Sequence, residues 1–209
     1  MKIVNPSFEI LDAVDGAAML RKIEAAARTC YKSEDKITAD SAEAMVRNLI
    51  KRGHETPLEH EKISVRIICD RGVSHELVRH RIASYSQEST RYCNYSQGRF
   101  GGELAFIRPC FWEPGSDAYQ VWENAMHKAE NYYFALRCRG ATPQEARAVL
   151  PNSLKTEIVV TMNLREWRHF FRLRAAPDAH PQMREIASAM LANFKERVPV
   201  VFDDLGELL

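Results

Sequence analysis

Apolar residues recur along the chain with two periods, and each period marks an element. In "KISVRIICD" (62–70), Ile63, Val65, Ile67 and Cys69 alternate with polar positions, which predicts a strand with one buried face. "LKTEIVVTM" (154–162) reads as another strand. Helical spacing begins near Asp15, where Met19, Leu20, Ile23, Ala27 and Cys30 share a side. A second helix is expected from about Asp40, with Asp40 and Glu43 as a capping box, to Gly53 as its stop. Ser74 is placed to cap a short helix carrying residues 79–92, and Gly101-Gly102 marks a turn before a brief strand. From about Asp117 a long helix sets Val121, Trp122, Ala125, Ala129, Tyr132 and Leu136 along one side. Thr142-Pro143-Gln144-Glu145 combines an N-cap, a first-turn proline and a carboxylate at N3, for a short helix ending before Pro151. Asn163 with Glu166 caps a helix through Arg174, and a last helix from Pro181 to about Val198 repeats Ile186, Met190, Phe194 and Val198.

Helices and strands intermingle without regular βαβ spacing, so the pattern predicts a mixed α/β or α+β domain. No Gly-rich phosphate loop stands at a strand–helix junction, which argues against a Rossmann or P-loop site. The 209 residues suffice for one full core, and no repeat or long linker divides them, so a single domain over 1–209 is expected. Lys and Arg total 29 against 28 Asp and Glu, a net +1 that argues against a general nucleic-acid binder. Any cationic site is therefore local. No apolar stretch approaches the ~20 residues that span a bilayer. "MKIVNPSFEIL" lacks a signal-peptide core, and the five cysteines show no CxxC spacing, so a cytoplasmic protein with reduced thiols and no membrane contact is expected.

The cations that matter are concentrated. "RHRIASYSQESTRY" (79–92) packs Arg79, His80, Arg81 and Arg91 among hydroxyl side chains, with Glu88 its one carboxylate. On a helix Arg79 and Arg81 would splay by about 200° and serve different groups of a ligand. The turn-rich "SYSQEST" and the fork of Arg91 suit a phosphate; a solvated polar loop is the alternative. On the helix after Asn163, Arg165, His169 and Arg172 form a cationic stripe, opposite Leu164, Trp167, Phe170 and Phe171. Arg174 falls in line with Trp167, where it snorkels out or meets an acceptor. "HETPLEH" (54–60) fails the HExxH zinc pattern, because its histidines are six apart with Pro57 between them; no metal is expected.

Together these segments resemble the flavin-dependent thymidylate synthases, whose signature RHRxxSxxxxSxRY is matched by Arg79, His80, Arg81, Ser84, Ser89, Arg91 and Tyr92. The resemblance extends to "AARTCY" (26–31), "GHETPLEH" (53–60), "EARAVLP" (145–151) and "TMNLREWRHFFRLRA" (161–175). It implies the thymidylate synthase-complementing protein fold, a central and mostly antiparallel sheet flanked by helices, in a homotetramer with sites between subunits. It also implies conversion of dUMP to dTMP, with 5,10-methylenetetrahydrofolate as one-carbon donor and NADPH as reductant through FAD. By resemblance, Thr56, Arg79, His80, Arg81, Gln87, Asn163, Leu164, Arg165 and His169 would touch FAD. Glu76, Leu77, Val78, Arg79, Gln87, Glu88, Ser89, Thr90, Arg91 and Arg147 would line the dUMP site, and Arg174 would hold and activate the pyrimidine. Many members carry Asn-Glu where this chain has Ser86-Gln87. A nucleotide- or RNA-binding module using the same basic stretch is the competing expectation, and it predicts salt-steep polynucleotide binding.

Overall fold

The computed structural model describes residues 1–95 and 102–206, and it divides the chain into two compact units. Met1–Ser7, Ile67–Arg79 and Tyr85–Val159 make the first; Phe8–Arg66, His80–Ser84 and Val160–Leu209 make the second. Along the chain come β1 (Lys2–Val4), β2 (Ser7–Ile10), α1 (Gly16–Thr29), α2 (Ser41–Lys51) and a 3-10 turn at Thr56–His60. Then follow β3 (Lys62–Asp70), α3 (Arg71–Leu77), β4 (Ala83–Gln87), β5 (Ala105–Ile107) and α4 (Asp117–Cys138). The rest is α5 (Pro143–Ala146), β6 (Lys155–Asn163), α6 (Leu164–Arg174), α7 (Pro181–Arg197) and α8 (Pro199–Phe202).

The mixed α/β expectation is met. β2, β3, β6 and β4 form, in that order, a four-stranded antiparallel sheet, while β1 pairs in parallel with β5 in the first unit. The alternation in β3 buries Ile63, Val65, Ile67 and Cys69, and that in β6 buries Ile158, Val160 and Met162. The first unit closes around Leu104, Phe106, Tyr119, Trp122, Met126, Tyr133 and Leu154. The second packs Trp167 and Phe171 of α6 against Phe194 of α7, with ring centroids 5.1–5.7 Å apart. The indole of Trp167 also donates to the Ile63 carbonyl at 2.9 Å, tying α6 to β3.

Several expectations are corrected. α3 is capped by Asp70, whose side chain accepts from Val73 N, and it ends at Leu77, before residues 79–92. Ser74 lies buried inside it. The stretch read as turn-rich instead enters the sheet as β4, because Ala83, Tyr85 and Gln87 alternate with exposed positions. Asp40 precedes α2 without a side-chain cap: Ser41 hydroxyl turns to Glu24 and Glu43 pairs with Arg47. α4 buries Tyr119, Trp122, Met126, Glu130 and Tyr133, leaving Val121 71% and Tyr132 62% exposed. Its sequence carries two apolar lines, and the spacing cannot tell which faces its own unit. Gly101 lies outside the described residues, while Gly102 takes the left-handed conformation a turn needs.

Candidate functional site

In the second unit, α6 is the element that presents the predicted donors. Asn163 caps it by accepting from Glu166 N at 2.8 Å, and Trp167, Phe170 and Phe171 fix its inner side. Arg165, His169 and Arg172 then face outward. They line a cleft of about 410 Å³ with Asn163, Glu166, Glu55, Glu59 and the exposed Ile82. Arg165 reaches Glu59 at 2.6 Å and Arg172 reaches Glu55 at 3.2 Å. Hydrogen bonding to Glu59 raises the Arg165 pKa further above its already high ordinary value. Leu164 is wholly buried, so only its backbone is available to a ligand. Thr56 and Arg81 are exposed and are not among the residues of this cleft.

At the cleft's inner margin a hydrogen-bonded chain joins three side chains. His80 is only 5% exposed; its Nδ1 stands 3.3 Å from Glu166 Oε1, and its Nε2 accepts from Arg174 Nε at 3.2 Å. Burial, the Arg174 charge and His169 push the His80 pKa down to about 4. Burial raises that of Glu166, against the opposing influence of His169 and Arg165. Phe170 and His169 pack edge-on against the His80 ring at 5.1 and 5.6 Å. His80, Glu166 and His169 each offer a ligand atom within 4.8 Å of the others, but a divalent cation there would meet the Arg174 guanidinium. His54 and His60 join no such group among the described residues.

The first unit gathers most residues assigned to the nucleotide. Gln87 Nε2 donates to the buried hydroxyls of Ser74 at 2.9 Å and Thr156 at 3.1 Å, which turns its carbonyl oxygen the other way. Gln87 and Glu88 line a cleft of about 500 Å³ with Ser86, Cys93, Lys155, Glu157 and Val159. Glu88 is held by Lys155 at 2.9 Å and by the Tyr95 hydroxyl at 2.7 Å. The Arg147 side chain donates to the Thr90 hydroxyl at 3.3 Å, Ser89 Oγ accepts from the Arg91 backbone N–H at 3.3 Å, and the Arg91 guanidinium lies over the Tyr92 ring. Arg79, Arg91 and Val78 are exposed, Glu76 is half-buried, and Leu77 is buried with its carbonyl accepting from Tyr85. Sequence reading missed Glu55, Lys155 and Thr156 as partners, since each comes from more than 60 positions away, and it also missed the nearer Tyr95 and Ser74. It cast Glu166 as a capping residue, yet its carboxylate goes to His80. The helix-line placement of Arg174 beside Trp167 likewise gave no hint of its bond to His80.

Arginines at the edges of two separate clefts, some paired with carboxylates and one with a hydroxyl, give the chain cationic forks of the kind that hold anionic ligands. Residues 11–200 match the family described as thymidylate synthase complementing protein, and the chain belongs to that family. It is 38% identical to the flavin-dependent thymidylate synthase of Geobacter sulfurreducens, over 87% of this chain and 79% of that one. Identity is also 38% to the flavin-dependent thymidylate synthase of Pyrococcus abyssi, over 79% of this chain and 68% of that one. Among solved structures, a UMP/dUMP methylase, PolB, from Streptomyces cacaoi bound with 5-Br dUMP superposes with a TM-score of 0.78 at 25% identity, covering 97% and 96% of the two chains.

Proposed function

We propose that this chain catalyses the reductive methylation of dUMP to dTMP, taking its one-carbon unit from 5,10-methylenetetrahydrofolate and its electrons from NADPH through FAD. The observation that carries the reading is the near full-length family match, in a chain whose 79–92 segment lends Ile82 to one cleft and Ser86, Gln87 and Glu88 to the other. In the second unit, Arg165, Arg172, Asn163 and His169 offer cationic and neutral donors beside the apolar Ile82. That set fits the pyrophosphate and ring of FAD. Thr56, His80, Arg81 and the Leu164 backbone complete the proposed FAD contacts, with Arg79 and Gln87 reaching both ligands. In the first unit, Arg91 and Arg147 supply phosphate forks, Ser89 and Thr90 hydroxyls, and Gln87 a carbonyl acceptor for dUMP. Glu76, Leu77, Val78 and Glu88 line that site.

The chain's own chemistry is electrostatic. C5 of uracil is a weak nucleophile, and the Arg174 guanidinium against the N3/O2 edge stabilises negative charge on the oxygens and pushes density toward C5. Bound FAD supplies the hydride chemistry that no side chain provides. The whole chain, 1–209, works as one domain in this reading and assembles as a homotetramer with sites between subunits. Supporting the assembly are Val121 and Tyr132, exposed on one face of α4. His80 bonds to Arg174 and Glu166 on α6 of its own chain. No helix among the described residues is long and apolar enough to cross a membrane, and a cytoplasmic setting is proposed.

Purified protein supplied with FAD, NADPH, methylenetetrahydrofolate and dUMP is expected to show a bound-flavin spectrum and to release dTMP. Flavin-loaded protein that leaves dUMP unmethylated overturns the reading. A colourless protein whose polynucleotide affinity falls steeply with salt points to the binding module instead.

A further inference from the structure

We infer that Glu166 is a positioning residue: its buried carboxylate holds His80 in the Nδ1–H tautomer and thereby fixes the guanidinium plane of Arg174. The inference rests on the dUMP-methylation reading only for what that guanidinium then does.

The chemistry of the two bonds leaves one arrangement. Arginine Nε carries a hydrogen and offers no acceptor lone pair, so its 3.2 Å contact makes His80 Nε2 the acceptor. The imidazole is then neutral, and its single proton sits on Nδ1, directed at Glu166 Oε1 at 3.3 Å. A carboxylate on one ring nitrogen also strengthens the other nitrogen as an acceptor. Without an acceptor at position 166, the proton is free to occupy Nε2. It would then meet the Arg174 N–H head-on, donor against donor, and the guanidinium would swing away. The ring itself has little freedom to adjust, because Phe170 and His169 pack edge-on against it. Glu166 sits on α6 three residues after the N-cap and eight before Arg174, so one rigid helix carries both ends of the chain of bonds.

The roles at the two ends differ. Arg174 is the group proposed to touch the pyrimidine; Glu166 acts through His80 and touches no reacting atom. Locking Nε sets the direction in which the terminal Nη donors of Arg174 point, and direction is what stabilisation of a developing oxyanion requires.

The test uses the FAD-loaded protein carrying nitrogen-15 histidine, with Glu166→Ala and Glu166→Gln. In the parent protein, NMR is expected to report His80 protonated on Nδ1. Glu166→Ala should shift it toward the Nε2–H form, while Glu166→Gln, whose amide oxygen still accepts, keeps the parent tautomer. In parallel, Glu166→Ala should lower kcat by about 10-fold or more with KM for dUMP within about 3-fold, as loss of a hydrogen bond to a charged group implies, and Glu166→Gln should recover most of it. An Nε2-protonated His80 in the parent, or an Ala variant with unchanged tautomer and kcat, overturns the inference. If the parent makes no dTMP, the functional reading fails, and the tautomer spectra still decide whether Glu166 sets the His80 proton.

Discussion

Burial, the Arg174 charge and His169 hold the His80 pKa at about 4, against an ordinary 6.5. Between those values the unfolded chain binds a proton that the folded chain refuses, so stability rises with pH across the window and is lost as acid is added. The depressed pKa corresponds to a loss on the order of 3 kcal/mol over that interval. Denaturant titrations at neutral pH and near the lower limit should show it, and His80→Asn, which cannot titrate there, should lose less. At the same scale, Arg174→Ala is expected to leave flavin bound but to slow dUMP methylation by at least ~100-fold, the cost of one oxyanion-type donor. Steady-state assay with the flavin spectrum checks both halves. The sequence exposed these residues through their motif, not their partners. Nothing in the spacing of Arg174 announced His80 as its acceptor, because the two are 94 positions apart.

Periodicity served best where an element packs on one side only. β3 and α6 came out nearly to the residue because their buried faces are uninterrupted. Arg168, which the sequence pattern did not single out, lies on the inner side of α6, wholly buried, with Asp204 at 2.6 Å, Glu55 at 3.3 Å and the Val201 carbonyl as partners. Local pattern reads an arginine as exposed, and only the arrival of those acceptors from distant segments reverses it. Arg168→Ala should cost about 2–5 kcal/mol, since it empties a wholly buried side-chain site and leaves the Val201 carbonyl without its donor, and thermal unfolding measures it. The start of α1 is equally constrained. A Cβ at Gly16 would overlap the Arg197 carbonyl at the end of α7, so Gly16→Ala is expected to destabilise by about 1–3 kcal/mol in denaturant titration.

For the whole molecule, the strongest unspent feature is apolar surface. Val121, 71% exposed, and Tyr132, 62% exposed, leave apolar surface on one face of α4 in a chain of near-zero net charge. Replacing Val121 and Tyr132 by aspartate should lower the particle mass seen by light scattering while leaving the far-ultraviolet dichroism intact; unchanged mass would remove α4 from the assembly. The apolar line on α4 misled the helix reading because Val121 and Tyr132 follow the same helical period as the buried residues but lie on the exposed side. β1 and β2 escaped notice because three- and four-residue strands have too little alternation to register. The Arg168 anchor has a practical corollary for redesign. With its hidden side bolted to the segment around Asp204, α6 resists rolling to admit a bulkier guest. Retooling this protein toward another nucleotide therefore falls to side-chain exchange along a fixed rail.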